Sequence, residues 1–217
     1  MKAAISIAGA LHVAPDVVPS GKEPLPVAAP EPDKGRVGDS VVDEALISTE
    51  RLDLPIWRED AIQALIDGDA GRLAMLTDAV WPLPLAAPPE MEDALPFFAE
   101  RTRANPSMGR WWARLLVERD TRRVVGSSGF VGPPDRDGVV VTGYAVYPED
   151  QRRGYASEAV TALVAWALTQ PGVRRVRATI HPTNPASRRV AAKAGLRMVG
   201  ELRDEQDGDL EVWELDR

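Results

Sequence analysis

The 217-residue chain contains no cysteine and only two histidines, His12 and His181. Without cysteine there is no disulfide framework, no thiolate nucleophile and no Cys-based zinc site. Two imidazoles are too few for a His-rich metal centre. No apolar run reaches the ~18 residues of a membrane-spanning helix. Positive charge is also in deficit: 26 Lys and Arg stand against 33 Asp and Glu, a formal net charge of −7. That balance argues against binding a nucleic-acid backbone by bulk charge. The hydrophobic fraction of 44% and charged fraction of 27% match an ordinary soluble globular protein. The chain reads as cytoplasmic, with no nucleic-acid or membrane partner and no metal, so its function must lie in a local site.

Proline divides the chain. Six of the 19 prolines fall within residues 1–46. There the lost donors and fixed φ predict an extended, poorly ordered arm. Met1–Ala14 resembles a signal peptide only superficially, since its positive region is one lysine and His12 interrupts a short apolar core. From Ile47 to Arg217 the pattern is that of one compact domain. Alternation over Ser48–Leu54 predicts a first strand, and helices are expected at Glu59–Asp67, Gly71–Asp78 and Glu90–Arg103. Strands follow at Arg110–Glu118, Arg123–Val131 and Val139–Tyr147. Apolar residues at Ala156, Ala159, Val160, Leu163, Val164 and Ala167 predict a helix over Tyr155–Thr169. A strand at Arg174–Ile180 leads to a short helix opened by Asn184-Pro185 and ended by Gly195. Leu196–Leu202 and Leu210–Leu215 close as an antiparallel pair. This order fits an α/β (α+β) fold, a mixed sheet with helices on both faces.

The chemistry concentrates at Gln151-Arg152-Arg153-Gly154-Tyr155-Ala156, between a strand and the long amphipathic helix. A glycine-containing turn entering a helix points several unpaired backbone N–H groups at one spot, and the helix dipole adds partial positive charge. Gly154 permits close backbone approach and Ala156 keeps the entrance open. Arg152 and Arg153 can add side-chain contacts to a phosphate. Taken alone, the six residues fit equally well a plain strand-to-helix loop with solvated arginines.

Those six residues resemble the Q/R-x-x-G-x-G/A pyrophosphate turn of the GNAT (GCN5-related) N-acetyltransferase superfamily. Asn184-Pro185-Ala186-Ser187 and Lys193-Ala194-Gly195-Leu196 resemble two further segments of that superfamily. Gly143-Tyr144 and Ser157-Glu158-Ala159 extend the likeness toward the ribosomal-protein N-terminal acetyltransferase branch. The resemblance covers roughly residues 47–217 and is strongest over 142–200. It implies a mostly antiparallel sheet with two splayed parallel strands, here Thr142–Tyr147 and Arg174–Ile180, that bind acetyl-CoA as co-substrate. Backbone groups of Ala145, Val146 and Tyr147 would bind the pantetheine amides as an added strand. The amides of Arg152, Arg153, Gly154, Tyr155 and Ala156 would hold the pyrophosphate. Asn184 would contact pantetheine or a water while also serving as a helix cap, and Ser187 would lie near the thioester sulfur.

The implied reaction is direct attack of a primary amine on the thioester. Backbone N–H groups around Tyr144–Val146 are the expected oxyanion donors, freed by an irregularity at the Gly143 end of the strand. Where relatives often carry a glutamate base this chain has Val141 and Thr142, which leaves His181, Glu118, Asp135 or a water relay. The helix after Asn184 contains no tyrosine, so Ser187 or a water is the remaining proton donor for the thiolate. The acceptor is a small-molecule amine, a polyamine or a protein N-terminus. It would be read by the N-terminal helices, the Trp81–Leu85 loop and one of Trp111 and Trp112, the other being core. A second reading is an acetyl-CoA-binding sensor or assembly module with little turnover; a homodimer is compatible with either. The charge pattern favours the donor: residues 151–203 hold ten basic and two acidic residues, a local attraction for a compact polyanion.

Overall fold

The computed structural model describes residues 46–205 and 207–217; apart from Leu46, the arm expected over 1–46 lies outside them. Strands β1 (Ile47–Ser48) and β2 (Leu52–Leu54) precede helices α1 (Glu59–Ile66), α2 (Ala70–Thr77) and α3 (Leu95–Ala104). Then come β3 (Ala113–Glu118), β4 (Val124–Phe130), β5 (Val139–Val146), α4 (Tyr155–Thr169), β6 (Arg175–Ile180), α5 (Pro185–Lys193), β7 (Arg197–Asp204) and β8 (Gly208–Asp216). Among the described residues, eight strands form one sheet in the order β1-β2-β3-β4-β5-β6-β8-β7. Every neighbouring pair is antiparallel except β5 and β6.

That parallel pair is short. It joins Val139 to Arg175, Val140 to Val176 and Val141 to Arg177, and pairs nothing further along either strand. Yet β5 stays paired with β4 as far as Val146, and β6 stays paired with β8 as far as Ile180. The sheet therefore splits from Thr142 onward into two halves, each held by its outer neighbour.

Two apolar clusters cover the two faces. One gathers Leu116, Phe130, Tyr144 and Val146 of the sheet with Tyr155, Ala159, Val160, Leu163, Val164 and Ala167 of α4. The other packs Ile62, Leu65, Leu73 and Phe98 of the N-terminal helices on Leu115 and Val117. The periodicity that predicts α4 from sequence thus marks the face it buries. The expected first strand is instead a hairpin. Thr49 N–H donates to Leu52 O at 2.8 Å, and Leu52 N–H donates to Thr49 Oγ1 at 2.9 Å, folding the chain back between β1 and β2. Alternating polarity cannot distinguish this two-way bond across a tight turn from a straight strand.

The paired tryptophans also depart from expectation. A single 3-10 stretch (Pro106–Trp111) precedes β3, and it sends Trp111 and Trp112 to opposite cores. Trp111 packs against Phe130 and Trp166, with ring centroids 5.7 and 5.2 Å away. Trp112 meets Phe97 and Phe98 at 5.9 and 6.2 Å. Both are buried, so neither presents its ring to an acceptor.

Candidate active site

The split between β5 and β6 exposes particular backbone groups, and the ladder register identifies them. Val131 N–H donates to Val141 O and Tyr147 N–H donates to Val125 O. Antiparallel ladders alternate, so Val141, Gly143, Ala145 and Tyr147 all turn their backbone groups to β4. Tyr144 and Val146 turn theirs the other way, into the gap. The expected backbone contacts of Ala145 and Tyr147 are thus already taken by the sheet, and those of Val146 and Tyr144 remain. Nor is there an irregularity at Gly143: the β4–β5 register runs unbroken from Gly126–Val146 to Phe130–Thr142. The register irregularities of the sheet lie elsewhere, between β3 and β4 at Leu116/Val117 and between β7 and β8 at Met198/Gly200. It is the splay that frees the Tyr144 and Val146 amides. Gln151 closes the end of the strand by donating from Nε2 to Val146 O at 3.0 Å.

The turn that follows bends through two left-handed residues, Arg152 (φ +63°) and Gly154 (φ +90°). Glycine adopts the second without the cost a side chain imposes, and a Cβ there would stand 3.3 Å from Arg51 Nη2. At the start of α4, Glu158 N–H donates to Gly154 O. The amides of Tyr155, Ala156 and Ser157 therefore precede the helical ladder and have no acceptor within it. With the dipole of a 15-residue helix behind them, these amides form an anion cradle.

A cavity of about 310 Å³ opens at this point. It is lined by Tyr144 and Val146 of β5, by Gln151, Arg152, Gly154 and Ala156 of the turn, and by one face of α5. That face is Ala186, Arg189, Val190 and Lys193, spaced i, i+3, i+4, i+7 as one stripe of a helix. Arg189 and Lys193 thus line the cavity although the sequence did not mark them as site residues; the helical period of α5 is the signal that groups them. Arg188, one position earlier, points elsewhere and forks onto Glu211 at 2.5 and 2.9 Å.

The two arginines of the turn differ. Arg152 lines the cavity. Arg153 is engaged by carboxylates, 2.9 Å from Asp150 and 3.6 Å from Glu118, so its side chain is not offered to a phosphate. Asp150, fully buried, also receives Arg123 at 3.1 Å. Tyr155 is buried, its hydroxyl donating to Glu118, while the guanidiniums of Arg51 and Arg153 lie 4.9 and 5.1 Å from its ring centre. Hydrogen bonds from Thr121 and Tyr155 hold the Glu118 carboxyl below its ordinary range against a smaller opposing effect of burial. Glu118 thus braces the turn, and Asp135 accepts the amides of Asp137 and Val139 in a loop. Neither is placed as a general base.

Asn184 is buried and its Oδ1 accepts Ser187 N–H at 3.0 Å, the N-cap of α5. Ser187 is fully buried, and neither its hydroxyl nor that of Tyr144 has a hydrogen-bond partner. Burial pushes the Tyr144 phenol far up, and the nearby Ser187 hydroxyl opposes the shift without reversing it. Tyr144 lines the cavity, and a buried hydroxyl without a partner is costly unless something completes it. His181 is exposed; its Nδ1 accepts Thr183 N–H at 3.2 Å and lies 2.7 Å from Thr183 Oγ1. It is a turn residue. Thr142 Oγ1 donates to Gly129 O, which leaves no carboxylate at the usual base position. On the opposite face a larger cavity of about 670 Å³ lies among Pro55, Trp57, Leu76, Thr102 and Leu115, apart from every residue of the turn.

The chain is similar to known proteins in sequence and in fold. The family model for an acetyltransferase (GNAT) domain matches residues 61–197. The chain is 29% identical over 155 residues to YjdG, an uncharacterised N-acetyltransferase of Bacillus subtilis (strain 168), covering 69% of this chain and 88% of that protein. In structure it resembles RimL, a ribosomal L7/L12 α-N-protein acetyltransferase solved with coenzyme A, at a TM-score of 0.56 and 16% identity over 79% of this chain and 97% of that one. It also resembles a ribosomal-protein-S5-alanine acetyltransferase of Vibrio fischeri, at a TM-score of 0.55 and 17% identity over 79% and 96%.

Proposed function

This chain belongs to the GNAT acetyltransferase family, and we propose that it moves an acetyl group from acetyl-CoA to a primary amine by direct attack on the thioester. The observation that carries this reading is the convergence of acceptor-less amides and three cations on one cavity. Such a donor set fits a ligand with a pyrophosphate, amide groups and a sulfur at its far end. Acetyl-CoA, when bound, supplies the activated acetyl thioester.

The chain's own residues would do the rest. The amides of Arg152, Gly154, Tyr155 and Ala156 hold phosphate oxygens, and Arg189 and Lys193 add charge from α5. The Tyr144 and Val146 backbone extends the sheet onto the pantetheine arm. One of their N–H groups also serves as donor to the oxyanion, a dipole preorganised where β5 parts from β6. Tyr144 stays protonated at neutral pH, so its hydroxyl and that of Ser187 supply a proton or hydrogen bond to the leaving sulfur. With Glu118, Asp135, His181 and Thr142 all engaged elsewhere, the amine loses its proton to water. Rate then comes mainly from holding amine and thioester together.

The test is thiol release from acetyl-CoA with a panel of small amines, polyamines and peptides, run beside thermal unfolding with CoA. Release with at least one amine and a raised melting point are expected, since a ligand selective for the folded state stabilises it. A raised melting point without release on any acceptor would favour a binding module. No stabilisation would overturn both.

A further inference from the structure

We infer that Arg51, in the turn of the N-terminal hairpin, is a positioning residue that fixes the orientation of the peptide plane between Arg153 and Gly154; the consequence for CoA rests on the donor-site reading above. Arg51 sits far from the turn in sequence but makes five contacts there, one of them the approach of its Nη2 to Glu158 Oε2 at 2.6 Å. Its N–H donates to Glu158 Oε1 at 2.8 Å and its Nε to Glu158 Oε2 at 2.7 Å. Its Nη1 donates to Arg153 O at 3.0 Å, and its guanidinium lies 4.9 Å from the Tyr155 ring centre. Thr49 Oγ1 adds a bond to Glu158 Oε1 at 2.5 Å.

The bond to Arg153 O matters because a trans peptide is planar, with its C=O and the next N–H pointing in opposite directions. Holding the Arg153 carbonyl toward the hairpin aims the Gly154 N–H away from it. Glycine is the residue whose neighbouring peptide flips most readily, being at ease on either side of φ = 0. Without a tether, this plane could rotate and present a carbonyl where the anion cradle needs a donor. The planar guanidinium can satisfy Glu158 and the Arg153 carbonyl together, whereas one ammonium point cannot. The Arg51–Glu158 pair is partly exposed and contributes modestly to global stability, so the effect falls on the turn.

Three variants of the full chain, Arg51→Gln, Arg51→Lys and Thr49→Ala, test this by calorimetric titration with CoA and by NMR exchange measurements on the unliganded Gly154 amide. Both Arg51 variants are expected to weaken CoA about tenfold, the loss of one charge-assisted hydrogen bond, and to put the Gly154 amide into slow exchange. Melting points should stay within a few degrees of the parent. Thr49→Ala loosens the hairpin at Glu158 but leaves the Arg153 carbonyl held, and should keep CoA affinity within about twofold. Full affinity in Arg51→Lys would mean that charge alone matters, and an equal loss in Thr49→Ala would mean hairpin loosening; either overturns the inference. If the parent chain binds no CoA, the donor reading fails, and the Gly154 amide alone decides: an unchanged signal in both Arg51 variants overturns the assignment, and exchange appearing in both supports it.

Discussion

On the α4 face of the sheet, polar groups converge: the free amides of the turn and the cations of α5 meet one cavity. On the face covered by α1, α2 and α3, aromatic rings gather: Trp57 lies tilted against Trp81 at 5.8 Å, and Phe97 and Phe98 meet Trp112 edge-on. The first face offers backbone groups at a junction of regular elements. The second is organised for packing, and its large cavity owes its shape to side chains. On the function proposed above, the first face would hold the donor and the helical face would be left to the acceptor.

Substitutions on the two faces should fail differently. Phe98→Ala empties a fully buried site among the helices and should cost about 3–5 kcal/mol of stability, read by urea unfolding. CoA affinity per folded molecule should be unchanged. Gly154→Val should do the reverse. Its positive φ opposes a β-branched side chain and its Cβ presses on Arg51, so CoA affinity should fall about a hundredfold in calorimetry while the fold persists. If Phe98→Ala lost CoA affinity in step with Gly154→Val, the two faces would not be separable.

The contrast in legibility follows the same line. Strand, turn and helix around Gly154 could be read from sequence because the turn's chemistry is backbone chemistry, which Gln151–Ala156 announce by glycine and position. Asn184 was readable as a cap for the same reason. Which backbone groups face the gap was not, because Ala145 and Val146 differ only in register, and register depends on the partner strand. Arg188 and Arg189 look alike in sequence; only the phase of α5 against β8 sends one to Glu211 and the other to the cavity. The Thr49–Leu52 turn and the burial of both Trp111 and Trp112 came from local side-chain bonds and a 3-10 stretch that override alternation.

That pair of arginines sharpens the comparison further. The double variant Arg189→Ala, Lys193→Ala should raise KM for acetyl-CoA about tenfold at low salt and less at high salt, since these charges face solvent-filled space. Arg188→Ala should leave KM alone and lower stability by about 1 kcal/mol or less, reduced by its partial exposure. Equal KM effects would mean that bulk charge, not the cavity-facing stripe of α5, attracts the donor.

The smallest effect is that of pH on the braces of the turn. Burial works against the charged form of Glu158, but hydrogen bonds from Thr49 and Arg51 outweigh it and hold its carboxyl below the ordinary value of 4.5. Glu118 is lowered likewise. Folded-state values below the unfolded ones mean stabilisation that is fully present above the ordinary carboxylate value and lost as pH falls through the lowered one. Urea midpoints should thus change little on account of these groups from pH 7 to about 5 and decline below that, and Glu158→Gln should flatten the decline.

The central claim is that the donor is held by the backbone of the turn and of β5. Its most direct test is an amide-resolved NMR titration of the full chain with CoA. The largest shifts should fall on Arg152, Gly154, Tyr155, Ala156 and Ser157, with further shifts at Tyr144 and Val146 and none at Trp57 or Thr102. Shifts centred on Trp57 and Thr102, with the turn unmoved, would contradict the account.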